Sequence, residues 1–108
     1  MNKNWYIYLD DKRAFDCENC AVKQESIIPI TVRDYNSLIQ VLEEISECND
    51  NAIVDFDHDL GEGKNGYDAA KWIVENKYPL IGYHLHTMNP VERNNIRQLL
   101  THYGYKEI

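Results

Sequence analysis

Hydrophobic positions along this chain form two kinds of run, some short and continuous and others spread at helical spacing. The short runs predict strands buried on both faces, because such strands lack the polar alternation of half-exposed ones. Four strands are predicted, over residues 5–9, 30–32, 52–57 and 80–86. Residues 105–108 are predicted to form either a short fifth strand or a tail.

Apolar residues that recur every three or four positions predict three helices, over residues 34–47, about 67–76 and 89–103. Asp34 and Asn89 stand at the starts of the first and third helices, where a short polar side chain can accept hydrogen bonds from free backbone N–H groups. Gly104 is suited to ending the third helix. The alternation of strands and helices indicates an α/β fold with an open parallel sheet.

Residues 12–29 contain no convincing helical stripe, so the first helix of such a fold is predicted to be reduced or missing. Two of the three cysteines, Cys17 and Cys20, lie in this segment at a spacing found in zinc sites. Because no second pair of this kind follows, we interpret them as two thiols in a surface connection. The role of the segment stays open.

Composition limits the classes of protein that the chain can belong to. Its 108 residues, 44% of them hydrophobic, suit a single domain over residues 1–108. A net charge of −7 argues against binding to double-stranded nucleic acid, because neutralising phosphates supplies most of that affinity. No apolar run approaches the roughly 20 residues that cross a membrane, and no secretory signal is evident. With an odd number of cysteines, these features favour a cytoplasmic protein.

Polar side chains follow three of the predicted strands, at the points where these strands end. Because parallel strands present their C-terminal ends at one edge of the sheet, where ligands bind, we expect these side chains to form one site. They are Asp10 and Asp11 after the first strand, Asp57, His58 and Asp59 after the third, and His86, Thr87 and Asn89 after the fourth.

The acids at this edge predict a metal site. Asp10, Asp11 and Asp57 offer hard oxygen ligands, which suit a divalent metal such as Mg²⁺ or Mn²⁺. His86 could act as a general acid or base, because imidazole titrates near neutral pH, or as a softer metal ligand.

Phosphate-binding groups are predicted beside the metal. The Thr87 hydroxyl and the backbone N–H groups at the start of the helix after Asn89 form a natural anion site. Asn89 itself is better explained as the helix cap, although it could also bind a ligand. Arg13 could hold a phosphate with its guanidinium group, and Arg93, near the helix start, is a further candidate.

The other polar residues of the central stretch have two interpretations each. Asp59 either takes part in catalysis or makes an Asx turn. His58 either binds the substrate or shapes the turn that aims Asp57. Asp55 shares the strand face of Asp57 but lies deeper in the sheet, and we interpret it as structural.

An acidic pair after the first strand, an acid after the third and a hydroxyl residue after the fourth resemble the receiver domains of two-component signalling. The resemblance implies a flavodoxin-like sheet of strand order 2-1-3-4, to which a fifth strand could add. It also implies that Asp10 and Asp11 bind Mg²⁺, that Asp57 accepts a phosphoryl group and that Thr87 is a switch hydroxyl. The lysine that receivers carry after the fifth strand is missing, which argues against phosphoryl signalling.

The chain more closely resembles a receiver-like family predicted to process cyclic phosphates, found in bacterial and phage proteins. Three signatures of that family, LDD-x-R, DHDLG and HS-x-NP, stand in order at residues 9–13 (LDDKR), 57–61 (DHDLG) and 86–90 (HTMNP). Thr87 replaces the usual serine and keeps its hydroxyl. Glu92 stands where the family tends to have a glycine, and its carboxylate could repel a phosphate or close a capping box.

Three functions are compatible with these features. The first is a metal-dependent phosphoesterase acting on a cyclic phosphate or nucleotide phosphoester, with the three aspartates on the ion, His86 transferring a proton, and Arg13 and Thr87 on the phosphate. The second is a non-catalytic protein that binds and sequesters a nucleotide signal. The third is a phospho-accepting receiver domain. In the first two, the expected partner is a small nucleotide or cyclic phosphate, and the oligomeric state stays open.

Overall fold

The computed structural model describes residues 3–13 and 27–108. Two features of the sequence lie outside these residues: the pair Cys17 and Cys20, and most of the segment in which the first helix is predicted to be reduced or missing. In chain order the elements are β1 (Asn4–Leu9), β2 (Ile27–Val32), α1 (Tyr35–Glu47), β3 (Asn51–Phe56), α2 (Gly66–Glu75), β4 (Gly82–Leu85) and α3 (Pro90–His102).

The four strands form one parallel sheet in the order β2-β1-β3-β4, which confirms the predicted fold class. Leu9 of β1 is in register with Val32 of β2 and with Phe56 of β3, and Phe56 is in register with Leu85 of β4. The strands therefore end in one row. The residues that directly follow this row are Asp10, Arg33, Asp57 and His86.

The sheet has two different faces, because successive side chains of a strand point to opposite sides. One face carries fully buried side chains such as Ile7, Val54 and Phe56, which belong to the main core. The opposite face carries a smaller cluster built around Tyr6 and Ile53. All three helices contribute apolar residues to the main core: Leu38, Leu42 and Ile45 from α1, Ala69, Ala70 and Ile73 from α2, and Ile96 and Leu100 from α3.

Polar caps fix the starts of the helices. Asp34 caps α1, as predicted, by accepting the backbone N–H of Ser37 at 2.8 Å. Asn89 caps α3, also as predicted, by accepting two N–H groups of its first turn. A capping box that was not predicted starts α2, where Asn65 and Asp68 each accept the other's backbone N–H. No helix in the described parts of the chain is long and apolar enough to cross a membrane.

Two predicted strand starts are wrong by more than one residue. β2 begins at Ile27 and includes Pro29, which the prediction left outside the strand. β2 lies at the edge of the sheet, where a proline is tolerated because its missing N–H need not face a neighbouring strand. β4 begins only at Gly82, because Leu80 still belongs to a turn in which its N–H donates to the carbonyl of Tyr78 at 3.0 Å.

Residues 105–108 extend the sheet by one bridge rather than by a full strand. The N–H of Tyr83 donates to the carbonyl of Lys106 at 2.9 Å, and the carbonyl of Tyr83 accepts from the N–H of Ile108 at 2.8 Å. The pairing is parallel and lies beside β4. Of the two predicted alternatives, a short fifth strand therefore describes residues 105–108 better than a tail does.

Candidate metal and phosphate site

Three side chains meet at the C-terminal edge of the sheet. Asp10, Asp57 and His86 each offer one ligand atom, and these atoms all lie within 4.8 Å of one another. Their meeting follows from the register, because each of the three residues directly follows the end of a strand in the same row. Two carboxylates and an imidazole at this spacing could hold a divalent cation.

Asp10 is buried and fully hydrogen-bonded. Its Oδ1 accepts the backbone N–H groups of Lys12 at 2.9 Å and Arg13 at 2.8 Å, and its Oδ2 accepts from the Arg13 Nε at 2.9 Å. Burial alone would raise the pKa of Asp10, but the two backbone hydrogen bonds and His86 outweigh it, so the pKa lies below its ordinary value. Asp10 therefore stays ionised at neutral pH and also caps the loop that follows β1.

Asp57 is in the opposite electrostatic situation. Burial raises its pKa above the ordinary value, and the neighbouring Asp10 carboxylate raises it further. His86 and Arg13 only partly offset this effect. A cation between the two carboxylates would remove their repulsion, so the charges of the site fit a bound metal ion.

Gly66 fixes the backbone on which Asp57 is carried. Its N–H, at the start of α2, donates to the carbonyl of His58 at 2.8 Å. A Cβ at this position would lie 2.1 Å from the carbonyl oxygen of Asp57, closer than any real contact. Only glycine therefore lets α2 start directly against the loop after β3.

His86 is held on three sides. Its Nδ1 lies 2.5 Å from Oδ1 of Asp55, and its Nε2 lies 3.1 Å from Oδ2 of Asp10. The ring stacks on Tyr8, with centroids 4.3 Å apart and planes inclined by 9°. These contacts of His86 with Asp55 and Tyr8 are not among those predicted from the sequence. The alternation of side chains along β1 and β3 would have predicted these contacts, since Tyr8 and Asp55 are in register on the face of the sheet that carries Asp57.

Two predicted acids are not part of this group. Asp11, predicted as a metal ligand, is not among the three residues brought together, and its Oδ2 lies 3.7 Å from where a Cβ on Gly61 would stand. Asp59, predicted as catalytic, is exposed, and its Oδ1 accepts the N–H of Gly61 at 3.0 Å. This is the Asx turn that was the alternative interpretation of Asp59.

An open cleft of about 500 Å³ adjoins Asp57. It is mostly polar and is wide enough for a small phosphate ester. It brings most of the predicted substrate-binding residues to one place, together with residues from the loop after β3. Among the residues that line it are Arg13, Asp57, His58, Thr87, Asn89 and Glu92.

Contacts within the cleft involve two of its predicted ligands. Nδ1 of His58 lies 2.7 Å from Oε2 of Glu92, an ion pair when the ring is protonated. Glu92 thus joins the loop after β3 to the first turn of α3. Thr87 is buried, and its Oγ1 accepts the N–H of Asn89 at 3.4 Å. Among residues 3–13 and 27–108 no acceptor contacts this hydroxyl, so its hydrogen can donate to an anion.

Two arginines hold the backbone around the cleft. Arg93, a predicted phosphate ligand, donates from Nη2 to the carbonyl of Thr87 at 2.7 Å and from Nε to the same oxygen at 3.2 Å. Arg33 was missed, although it directly follows β2 in the row of strand ends. Its Nη1 donates to the carbonyl of Arg13 at 2.9 Å and to that of Asp10 at 3.3 Å. Arg33 therefore fixes the loop that carries Arg13.

These features define a receiver-like α/β domain with an acidic, histidine-containing site at the C-terminal edge of its sheet. Residues 5–102 match the family described as cyclic-phosphate processing receiver domain, and the chain belongs to this family. The match spans both acidic strand ends and the segment after β4.

Other comparisons add little about the site. A stretch of 65 residues, 59% of this chain, is 35% identical to Protein MLP2 of Saccharomyces cerevisiae. The match covers 4% of that protein, so it concerns a small part of a much longer chain. No solved structure matches the chain.

Proposed function

We propose that this domain binds a divalent metal ion at Asp10, Asp57 and His86 and acts on a cyclic phosphate or nucleotide phosphoester in the adjoining cleft. The observation that carries the proposal is the meeting of two carboxylates and an imidazole beside a polar cleft. Membership in a family of cyclic-phosphate processing domains supports the choice of substrate class.

The residues divide into two groups by their chemistry. Asp10 and Asp57 would hold the ion, which supplies Lewis-acid polarisation of a phosphoryl oxygen when it is bound. Arg13 is 55% exposed at its side chain and lines the cleft, so its guanidinium can reach a phosphate there. The Thr87 hydroxyl would face the same anion. The first N–H groups of α3 already donate to Asn89, so the helix start would add only the positive end of its dipole.

His86 can serve the site in one of two ways, as a ligand of the ion or as a carrier of a proton. Both roles use Nε2, because Nδ1 is turned toward Asp55. A group that transfers a proton must be within hydrogen-bond reach of the reacting oxygen. If Nε2 is taken up by the ion, the proton must come from another group in the cleft.

The same engagement of His86 favours a second candidate function, binding without cleavage. Both of its ring nitrogens face carboxylates, and the other imidazole that lines the cleft, His58, contacts Glu92 through Nδ1. The described site therefore has groups for metal and phosphate, but each of its two imidazoles already contacts a carboxylate. Such a protein would sequester a nucleotide or cyclic phosphate. A phosphorylatable receiver, with Asp57 as acceptor, is the third candidate.

Three measurements on the purified protein separate the three functions. Purified protein is incubated with Mn²⁺ or Mg²⁺ and a panel of 3′,5′-cyclic nucleotides and 2′,3′-cyclic phosphates, and ³¹P NMR follows the ligands. We expect a monoester product from at least one substrate and none with Asp57→Asn. Thermal stabilisation by a ligand that is recovered unchanged would instead support sequestration. A mass gain of one phosphoryl group with acetyl phosphate, absent in Asp57→Asn, would support the receiver.

A further inference from the structure

We propose that Asp55 is the positioning residue of the metal site. Its carboxylate would turn the Nε2 lone pair of His86 toward the ion between Asp10 and Asp57. This nitrogen ligand would make the site prefer Mn²⁺ to Mg²⁺. The inference rests on the metal site of the proposed function, and it adds a residue and a metal preference.

The contacts of Asp55 indicate which ring nitrogen carries the hydrogen. Asp55 is buried, with Oδ2 accepting the hydroxyl of Tyr6 and Oδ1 facing Nδ1 of His86, both at 2.5 Å. An ionised carboxylate can only accept hydrogen bonds, so the short contact to Oδ1 requires a hydrogen on Nδ1. In the metal-free protein Nε2 also faces a carboxylate, Oδ2 of Asp10 at 3.1 Å, to which it donates a hydrogen. A bound cation would displace that hydrogen, and the ring, with its other hydrogen held on Nδ1 by Asp55, would then present the Nε2 lone pair to the ion.

The surroundings of His86 leave its ring one orientation. Tyr8 stacks on one side at 4.3 Å, and only 13% of the His86 side chain is exposed. Nε2 then faces Oδ2 of Asp10 at 3.1 Å, and Asp57 completes the group. A carboxylate behind a metal-binding imidazole is a recurrent arrangement that fixes the ring and strengthens the nitrogen as a donor.

The metal preference follows from the donor set. Mg²⁺ demands hard oxygen ligands and near-ideal octahedral geometry, and it binds imidazole poorly. Mn²⁺ accepts carboxylates as readily and binds more tightly than Mg²⁺ when a nitrogen donor is present. Two carboxylates and one fixed imidazole therefore favour Mn²⁺, whereas the two carboxylates alone would not discriminate in this way.

The test compares the wild-type protein with Asp55→Asn and uses Mn²⁺ and Mg²⁺ as the probes. Mn²⁺ binding is measured by electron paramagnetic resonance, with Mg²⁺ as competitor, and electron spin-echo modulation reports whether a ¹⁴N nucleus is coupled to the bound Mn²⁺. We expect a ¹⁴N coupling in the wild-type complex. Asp55→Asn should weaken Mn²⁺ binding by about 10- to 100-fold, the usual effect of losing such a partner. It should also weaken the ¹⁴N coupling and lower the Mn²⁺ preference over Mg²⁺.

Two further variants control for folding. Tyr6→Phe removes only the hydroxyl bonded to Asp55, so it should keep the ¹⁴N coupling and change Mn²⁺ affinity much less. Asp50→Asn is the matched control, because Asp50 also accepts an aromatic N–H, from Trp5 at 3.1 Å, and lies at the other end of the sheet. It should leave Mn²⁺ binding unchanged.

The failure of this inference can be distinguished from the failure of the proposed function. Wild-type protein that binds Mn²⁺ without ¹⁴N coupling, or Asp55→Asn that matches wild type in affinity and metal preference, would overturn the role of Asp55 and leave the metal site standing. Wild-type protein that binds neither ion would overturn both. If Asp55→Asn does not fold, His86→Ala and Tyr6→Phe take its place. A ¹⁴N coupling that is lost in His86→Ala and kept in Tyr6→Phe supports the nitrogen ligand, and a wild-type complex without ¹⁴N coupling refutes it.

Discussion

Replacing Gly66 with alanine tests how tightly the start of α2 is packed against the loop that carries Asp57. The added Cβ would lie 2.1 Å from the carbonyl oxygen of Asp57 and 3.0 Å from the Cα of His58. Both are backbone atoms, which cannot rotate away as the end of a side chain could. Either α2 must move away from the loop or the loop must move, and in both cases Asp57 is displaced.

The expected loss of stability can be worked from three contributions. Overpacking a close contact costs about 1–3 kcal/mol. Losing the hydrogen bond from Gly66 to the carbonyl of His58, 2.8 Å long, costs about 1 kcal/mol. The better helix propensity of alanine returns up to about 1 kcal/mol. The net loss is about 1–4 kcal/mol, and each kcal/mol corresponds to about 4–8 °C in Tm for a domain of this size.

Thermal unfolding followed by circular dichroism measures this loss, and Mn²⁺ titration measures the effect on the site. We expect Gly66→Ala to lower both Tm and Mn²⁺ affinity. Gly104→Ala is the matched control, because Gly104 has φ of +88° and no atom of the described residues lies within 4 Å of its Cβ position. It should cost about 1–2 kcal/mol through backbone strain alone and leave Mn²⁺ affinity unchanged. Wild-type stability and affinity in Gly66→Ala would refute the packing argument.

Three further predictions concern charge and pH. The pKa of Asp57 is raised, so its negative charge at neutral pH destabilises the folded protein relative to the unfolded one. Asp57→Asn should therefore raise the Tm of the metal-free protein while abolishing Mn²⁺ binding. A lower Tm would contradict this. For the same reason, protons should compete with Mn²⁺ at Asp57 already at a pH above the ordinary aspartate pKa of about 4, so the Mn²⁺ affinity should fall before that pH is reached on acidification. Calorimetric titration measures this fall, and a Mn²⁺ affinity that does not change down to pH 4 would refute it. Burial raises the pKa of Tyr78 to about 12, so on alkalinisation the unfolded state loses the Tyr78 proton before the folded state does. The stability of the protein should therefore fall as pH rises above about 10, and Tyr78→Phe should make this fall less steep in alkaline denaturation curves. An unchanged slope would contradict this prediction.

The sheet could be predicted from sequence because its strands are continuous apolar runs that end in polar residues. Once the strand order is known, parallel pairing brings the residues after β1, β3 and β4 to one edge, which is how Asp10, Asp57 and His86 were found. The predicted β4 starts two residues too early, because a run such as Pro79-Leu80-Ile81 is as apolar in a turn as in a strand.

The parts of the site that were missed depend on which way individual side chains turn. Neighbouring acids such as Asp10 and Asp11 look equivalent in sequence, but only Asp10 continues the alternation that Tyr8 begins on the site face. The sequence predicts that Asp55 lies deep in the sheet, which favours a structural role, but it does not predict that its carboxylate contacts His86. Arg93 was predicted to face a phosphate, but its contact with the carbonyl of Thr87 depends on a rotamer that spacing does not determine.

The central claim is that Asp10, Asp57 and His86 together hold a divalent ion. The most direct test is the Mn²⁺ stoichiometry of the wild-type protein measured by electron paramagnetic resonance, beside Asp57→Asn and Asp11→Asn. We expect one tightly bound ion per chain, lost in Asp57→Asn and retained in Asp11→Asn, because Asp11 is outside the group. No bound ion in the wild type, or equal binding in Asp57→Asn, would contradict the claim.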